Sequence, residues 1–240
     1  MQHGLVKSTA LKAISLGMKI PEALIERFNE LTHFKKLLEM LDINCVLDVG
    51  ANRGQFAHEL RAIGYAGHII SFEPVKREFE VLSHSFRKDL KWIGHRIALG
   101  SKNETTKINV ANLTVMSSLL ESVGDRSMAE RQDIEVKRLD DIFPSIIKKI
   151  VNPKVFLKMD TQGYDLEVFS GAAQCLEYIQ GLQSELSVQP LYKNMPHYNE
   201  SLSIYEEAGF ELYNLSVVNR ISTGGLLELN AFMRRPAELK

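Results

Sequence analysis

Cysteine is scarce in this 240-residue chain. The two present, Cys45 and Cys175, sit in apolar surroundings without the spacing of a metal or redox pair, so they read as buried, reduced thiols. Charge of one sign is also lacking. The formal net charge is -1 and no long run of like charges occurs, which argues against a nucleic-acid partner and a polybasic membrane anchor. No uninterrupted apolar stretch is long enough to span a bilayer. The mildly apolar start, Met1 to Ile20, is broken by Lys7, Lys12 and Lys19, so neither a signal peptide nor a membrane span is expected, and a cytoplasmic location is. Internal repeats and low-complexity segments are absent too, which favours one domain over an array.

What is present starts with Cys45-Val46-Leu47-Asp48-Val49-Gly50-Ala51-Asn52-Arg53-Gly54-Gln55-Phe56. A short apolar run breaks at small residues and continues through Phe56, Leu60 and Ile63 at helical spacing: a strand, a ligand loop and a helix. A dinucleotide fingerprint G-x-G-x-x-G would need glycine at 50, 52 and 55, but these are Gly50, Asn52 and Gln55. The shorter G-x-G-x-G spacing fits better, with Gly50, Asn52 and Gly54. Asn is the non-glycine residue that best tolerates a left-handed backbone, so its presence at the middle position is mild.

The next strand, His68-Ile69-Ile70-Ser71-Phe72-Glu73-Pro74, places a carboxylate after an apolar run and is cut off by Pro74. An acid there can accept two hydrogen bonds from a ribose diol. Here the chain resembles a class I S-adenosylmethionine (SAM) methyltransferase. The resemblance makes Asp48 and the Gly50 to Gly54 loop the first cofactor motif, Glu73 the ribose-binding acid and Pro74 its neighbour. An acidic loop suits the sulfonium cation of SAM better than it would a pyrophosphate.

Before this region, Leu5 to Leu41 read as helices broken near Gly17 to Pro21, a cover over residues 1–42 that can shape a substrate pocket or a homodimer contact; residues 43–240 form the methyltransferase domain. Beyond Glu73 a helix to about Phe86 precedes a strand from Trp92 to Leu99. In the resembling fold its end, Ala98-Leu99, lies beside the adenine. Thr105 to Val110 alternates like an exposed strand, and Met116-Ser117-Ser118-Leu119 reads as a loop over the cofactor or a simple turn. Ile134 to Val136 is a short strand, and Leu139 to Ile147 a helix in spite of Pro144. Leu202 to Ala208 is read as a helix, and strands over Gly209 to Leu215 and Gly225 to Met233 as a terminal antiparallel hairpin.

A second stretch is more specific. Leu157-Lys158-Met159-Asp160-Thr161-Gln162-Gly163-Tyr164-Asp165 with Glu167-Val168-Phe169-Ser170-Gly171-Ala172 resembles the signature of the FkbM family of methyltransferases, over roughly Cys45 to Phe210. That resemblance implies a seven-stranded, mostly parallel, doubly wound Rossmann-like sheet and SAM-dependent O-methylation of a sugar, glycolipid or polyketide hydroxyl. Asp165 departs from it, where the family more often has Glu, and its place in a first helical turn favours a structural role.

Strand alternation puts Lys158 and Asp160 on one face, with Asp160 at the carboxyl end where open α/β sheets hold ligands. If the next strand, Leu182 to Leu186, is a neighbour, Glu185 comes near the same edge. Two such carboxylates can raise the pKa of one member, making it a base, or hold a divalent cation. Asp160 is the expected base, with Lys158 or Glu185 orienting the acceptor hydroxyl; His197, in the loop after Glu185, is the runner-up. The rival readings are an NAD-dependent oxidoreductase, which Asn52 and Gln55 oppose, and a non-catalytic SAM-binding scaffold.

Overall fold

The computed structural model describes residues 22–111, 117–121, 123 and 128–236. The expected helices before residue 22, the break near Gly17 to Pro21, and Met116 lie outside them. The described chain runs α1 (Glu22–Met40), β1 (Cys45–Val49), α2 (Gln55–Ala62), β2 (His68–Phe72), α3 (Lys76–Phe86), β3 (Trp92–His95), β4 (Ala98–Leu99), β5 (Glu104–Ala111) and β6 (Met128–Lys137). It continues with α4 (Leu139–Ile146), β7 (Val155–Met159), α5 (Asp165–Ser170), β8 (Ile179–Ser187), α6 (Tyr198–Glu207), β9 (Glu211–Arg220) and β10 (Leu226–Arg234).

Seven strands form one sheet in the order β3-β2-β1-β7-β8-β10-β9, with β10 antiparallel to both of its neighbours and the other pairs parallel. All five residues of β1 and of β7 are buried, as expected of central strands covered on both faces. Their alternation divides the core. Val46 and Phe156 face Phe34 and Leu37 of α1, Phe56 and Leu60 of α2, and Leu82 and Phe86 of α3. Cys45, Leu47, Val155 and Leu157 face Leu139 and Phe143 of α4, Val168 of α5 and Tyr205 of α6. Both cysteines are buried and free.

Three expectations need correction. The strand expected over Trp92 to Leu99 is two: β3 ends at His95, and after Arg96 and Ile97 the chain leaves the main sheet, so that β4 pairs with β6 in a second, three-stranded sheet ordered β4-β6-β5. The short strand at Ile134 to Val136 is the end of the ten-residue β6, paired along its length with β5. The expected exposure of β5 holds only in its first half, because Ile108 and Val110 are buried against Val75 and Ile134. In each case pairing with a distant strand overrides the local pattern. Helix α6 also starts earlier than expected, at Tyr198.

Candidate active site

The chain winds from β1 to β2 and β3 in one direction and from β7 to β8 in the other, so the carboxyl ends of β1 and β7 flank the switch point where open α/β sheets hold ligands. Gly50 follows β1 directly with φ 77°, and its amide and that of Ala51 both donate to the Phe72 carbonyl at 3.0 Å. A Cβ on Gly50 would fall 2.0 Å from the Asp160 carbonyl oxygen, so no side chain fits where the loops after β1 and β7 meet. Asn52 takes φ 48°, the left-handed conformation anticipated for it, and its amide donates to Glu73 Oε2 at 2.8 Å. The Val75 amide donates to Glu73 Oε1, also at 2.8 Å. Burial raises the Glu73 carboxyl to about 7 although both amides pull it down; Glu78 and Asp48 push it further up.

Around this loop lies a cavity of about 340 Å³. Gly50, Asn52, Glu73, Pro74, Ala98, Leu99, Lys158, Asp160 and Glu185 all line it, as do Ser117, Ser118 and Leu119. Asp48, Gly54 and His197 do not. Asp48 is fully buried behind the wall, where it accepts from Lys158 Nζ at 3.1 Å and Ser71 Oγ at 3.4 Å. Gly54, with φ 90°, begins α2, and a Cβ there would strike Leu82 and Phe86. His197 precedes α6, exposed, its Nδ1 2.6 Å from Asn199 Oδ1.

Register explains the ionic centre of the site. Asp48 and Lys158 are direct partners across β1 and β7. Lys158 Nζ also reaches Asp160 Oδ2 at 3.4 Å. Burial alone would lower the Lys158 ammonium; Asp48 and Asp160 outweigh it and hold the group above its ordinary range, so it stays charged. Gln162, with φ 55°, was not singled out from sequence, yet it joins the two cavity carboxylates. Its Nε2 donates to Asp160 Oδ1 at 3.3 Å and to Glu185 Oε2 at 2.8 Å, while its Oε1 accepts from Tyr192 OH at 2.9 Å. The Glu185 carboxyl is raised well above its usual range by burial first, then by Asp160, Glu228 and Asp165. Asp165 is buried and structural in its contacts: it accepts from the Thr161 amide and hydroxyl, from Ser184 Oγ at 2.8 Å and from the Glu185 amide at 3.1 Å. Among the described residues, no group of three or more His, Cys, Asp or Glu is placed to hold a metal ion.

The family model for the methyltransferase FkbM domain matches residues 48–212. The chain belongs to this family. The match runs from the end of β1 to the start of β9, so the methyltransferase segment includes both loops that meet at Gly50 and Asp160. Comparison with curated protein sequences gives no match. Among solved structures, the FkbM-family chain is similar to a candidate methyltransferase from Thermobifida fusca, with a TM-score of 0.50 and 11% identity over 90% of this chain and 82% of the other. That likeness bears out the class I, Rossmann-like fold. It is also similar to the 1,6-didemethyltoxoflavin-N1-methyltransferase of Burkholderia thailandensis with bound S-adenosylhomocysteine, at a TM-score of 0.45 and 14% identity over 98% and 89% of the two chains. Fibrillarin of Aeropyrum pernix with bound SAM gives 0.44 and 11% over 79% and 66%.

Proposed function

We propose that this methyltransferase uses SAM to methylate a hydroxyl of a saccharide, glycolipid or other natural-product scaffold. The observation that carries the reading is one cavity whose wall holds Glu73 at one end and the Gln162-bridged pair of Asp160 and Glu185 at the other. The residues suit SAM. Each Glu73 oxygen takes one backbone N–H and keeps accepting capacity for a ribose hydroxyl, the Gly50 to Asn52 backbone is free of side-chain bulk at Gly50, and Ala98 and Leu99 supply an apolar wall for adenine. SAM supplies an electrophilic methyl group on a sulfonium centre, which this acidic wall favours.

The chain's own part is positioning and proton removal. Asp160 accepts the hydroxyl proton, while Lys158 and Gln162 fix its two oxygens. A second reading makes Glu185 the base, because it lines the same cavity and shares the Gln162 amide with Asp160, and burial raises its carboxyl. Residues 43–240 are taken as the methyltransferase domain, with 1–42 as its cover. The test is incubation with methyl-labelled SAM and an extract of the source cells, followed by separation of lipid, glycan, small-molecule and protein fractions. Label as an O-methyl group in one of the first three supports the proposal. Label in protein alone overturns it.

A further inference from the structure

The end of the cavity farthest from Glu73 along the sheet order is walled partly by residues outside the matched family segment: Arg27 of α1, Val218 of β9 and Asn230 of β10. On this sheet face the deeper side chains, Phe156 and Phe232, belong to the apolar core, while Lys158, Gln183 and Asn230 reach the cavity. Two cations stand at this end, and each is held by two carboxylates. Arg27 donates through Nε to Glu59 Oε1 at 3.0 Å, through a second nitrogen to Glu59 Oε2 and through the third to Glu30. Lys158 is held by Asp48 and Asp160. Gln183 is only 5% exposed, lines the cavity, and its amide oxygen has no hydrogen-bond partner among the described residues.

A buried amide oxygen without a partner is costly, and at a cavity wall it is satisfied by a ligand donor once the amide turns toward it. An anionic ligand would find both cations already held by paired carboxylates, Glu59 among them, with Glu185 on the same wall. Resting on the methyltransferase reading of the same cavity, we infer that this end is the acceptor subsite and that it admits uncharged or cationic acceptors bearing hydroxyl or amino donors, one of them bound by Gln183, and refuses phosphorylated or carboxylated ones. Acceptor choice is thereby set jointly by α1 and the terminal hairpin, which wall this end, and by Glu59, Lys158, Gln183 and Glu185 of the matched segment.

The experiment begins with a titration of S-adenosylhomocysteine; absence of binding counts against the proposed function and is read separately. The protein saturated with this compound is then titrated with inorganic phosphate at constant ionic strength. No saturable phosphate binding is expected, and Glu59→Gln, which releases one side of the Arg27 guanidinium, is expected to gain it. Saturable binding to the unchanged protein overturns the inference. Gln183→Met is expected to raise Tm by about 2–4 °C, since it removes the orphaned oxygen, and to lower label transfer into extract acceptors at least about tenfold at limiting acceptor. A lower Tm overturns the assignment of Gln183, as does unchanged transfer, and labelled product retained by an anion exchanger overturns the charge rule.

Discussion

The buried Glu73 carboxyl couples stability to pH, and under the proposed function it couples both to cofactor binding. Its folded-state pKa is raised from 4.5 to about 7, so the unfolded chain releases its proton first. The contribution of this group to stability therefore falls as pH rises from 4.5 to about 7 and is level above that. Ribose donors need the ionised form, so affinity for S-adenosylhomocysteine should rise over the same window. Thermal unfolding of Glu73→Gln across this range should show a shallower pH dependence than the unchanged protein; an equal slope would remove Glu73 as its source. Asp160→Asn should lower kcat about 10²- to 10⁴-fold while leaving homocysteine-form binding within a few-fold. Full activity in that variant, with loss in Glu185→Gln, would move the base to Glu185. Glu73, Asp160 and Gly50 were legible because each ends an apolar strand run. The depth of Asp48 was not, because a lysine 110 residues away draws it behind the wall, and Gln183 and Asn230 depend on strand register that no local pattern displays.

The loops after β1 and β7 act as one element. Gly50 carries both a positive φ and the closest approach, so Gly50→Ala should destabilise the protein by at least about 1–3 kcal/mol and abolish homocysteine-form binding, read by thermal shift with and without ligand. Gln162→Leu should cost about 1–3 kcal/mol, because the Tyr192 hydroxyl and both cavity carboxylates lose a partner together. Element boundaries were least legible where the chain changes sheets. Trp92 to Leu99 looks continuous because Ile93, Ile97 and Leu99 are apolar, yet β3 completes an edge and Ala98-Leu99 pairs elsewhere. Ala98 and Leu99 nevertheless line the cavity. In α1, Phe34, Leu37 and Leu38 are buried, while the apolar Leu24 and Phe28 are exposed; its Arg27–Glu30 pair has i,i+3 spacing within the helix, but Arg27–Glu59 joins two helices and gave no sequence signal.

At the scale of the molecule, the α/β class was legible because apolar strands alternating with helices call for a parallel sheet covered on both faces; the seven-stranded sheet was expected from the family resemblance, and its strand order came only with the structure. The second sheet was not legible, since β6 pairs with both β5 and the distant β4 while its strands carry mixed polar residues. Among the described residues no helix is long and apolar enough to cross a membrane. The cavity at the switch point is proposed to hold SAM through Glu73, and calorimetric titration of S-adenosylhomocysteine is the decisive measurement. At about pH 8, above the Glu73 pKa, the unchanged protein should bind saturably at one site, and Glu73→Gln should bind about 10- to 100-fold more weakly. No saturable binding to the unchanged protein, or equal affinity in the two, would contradict it.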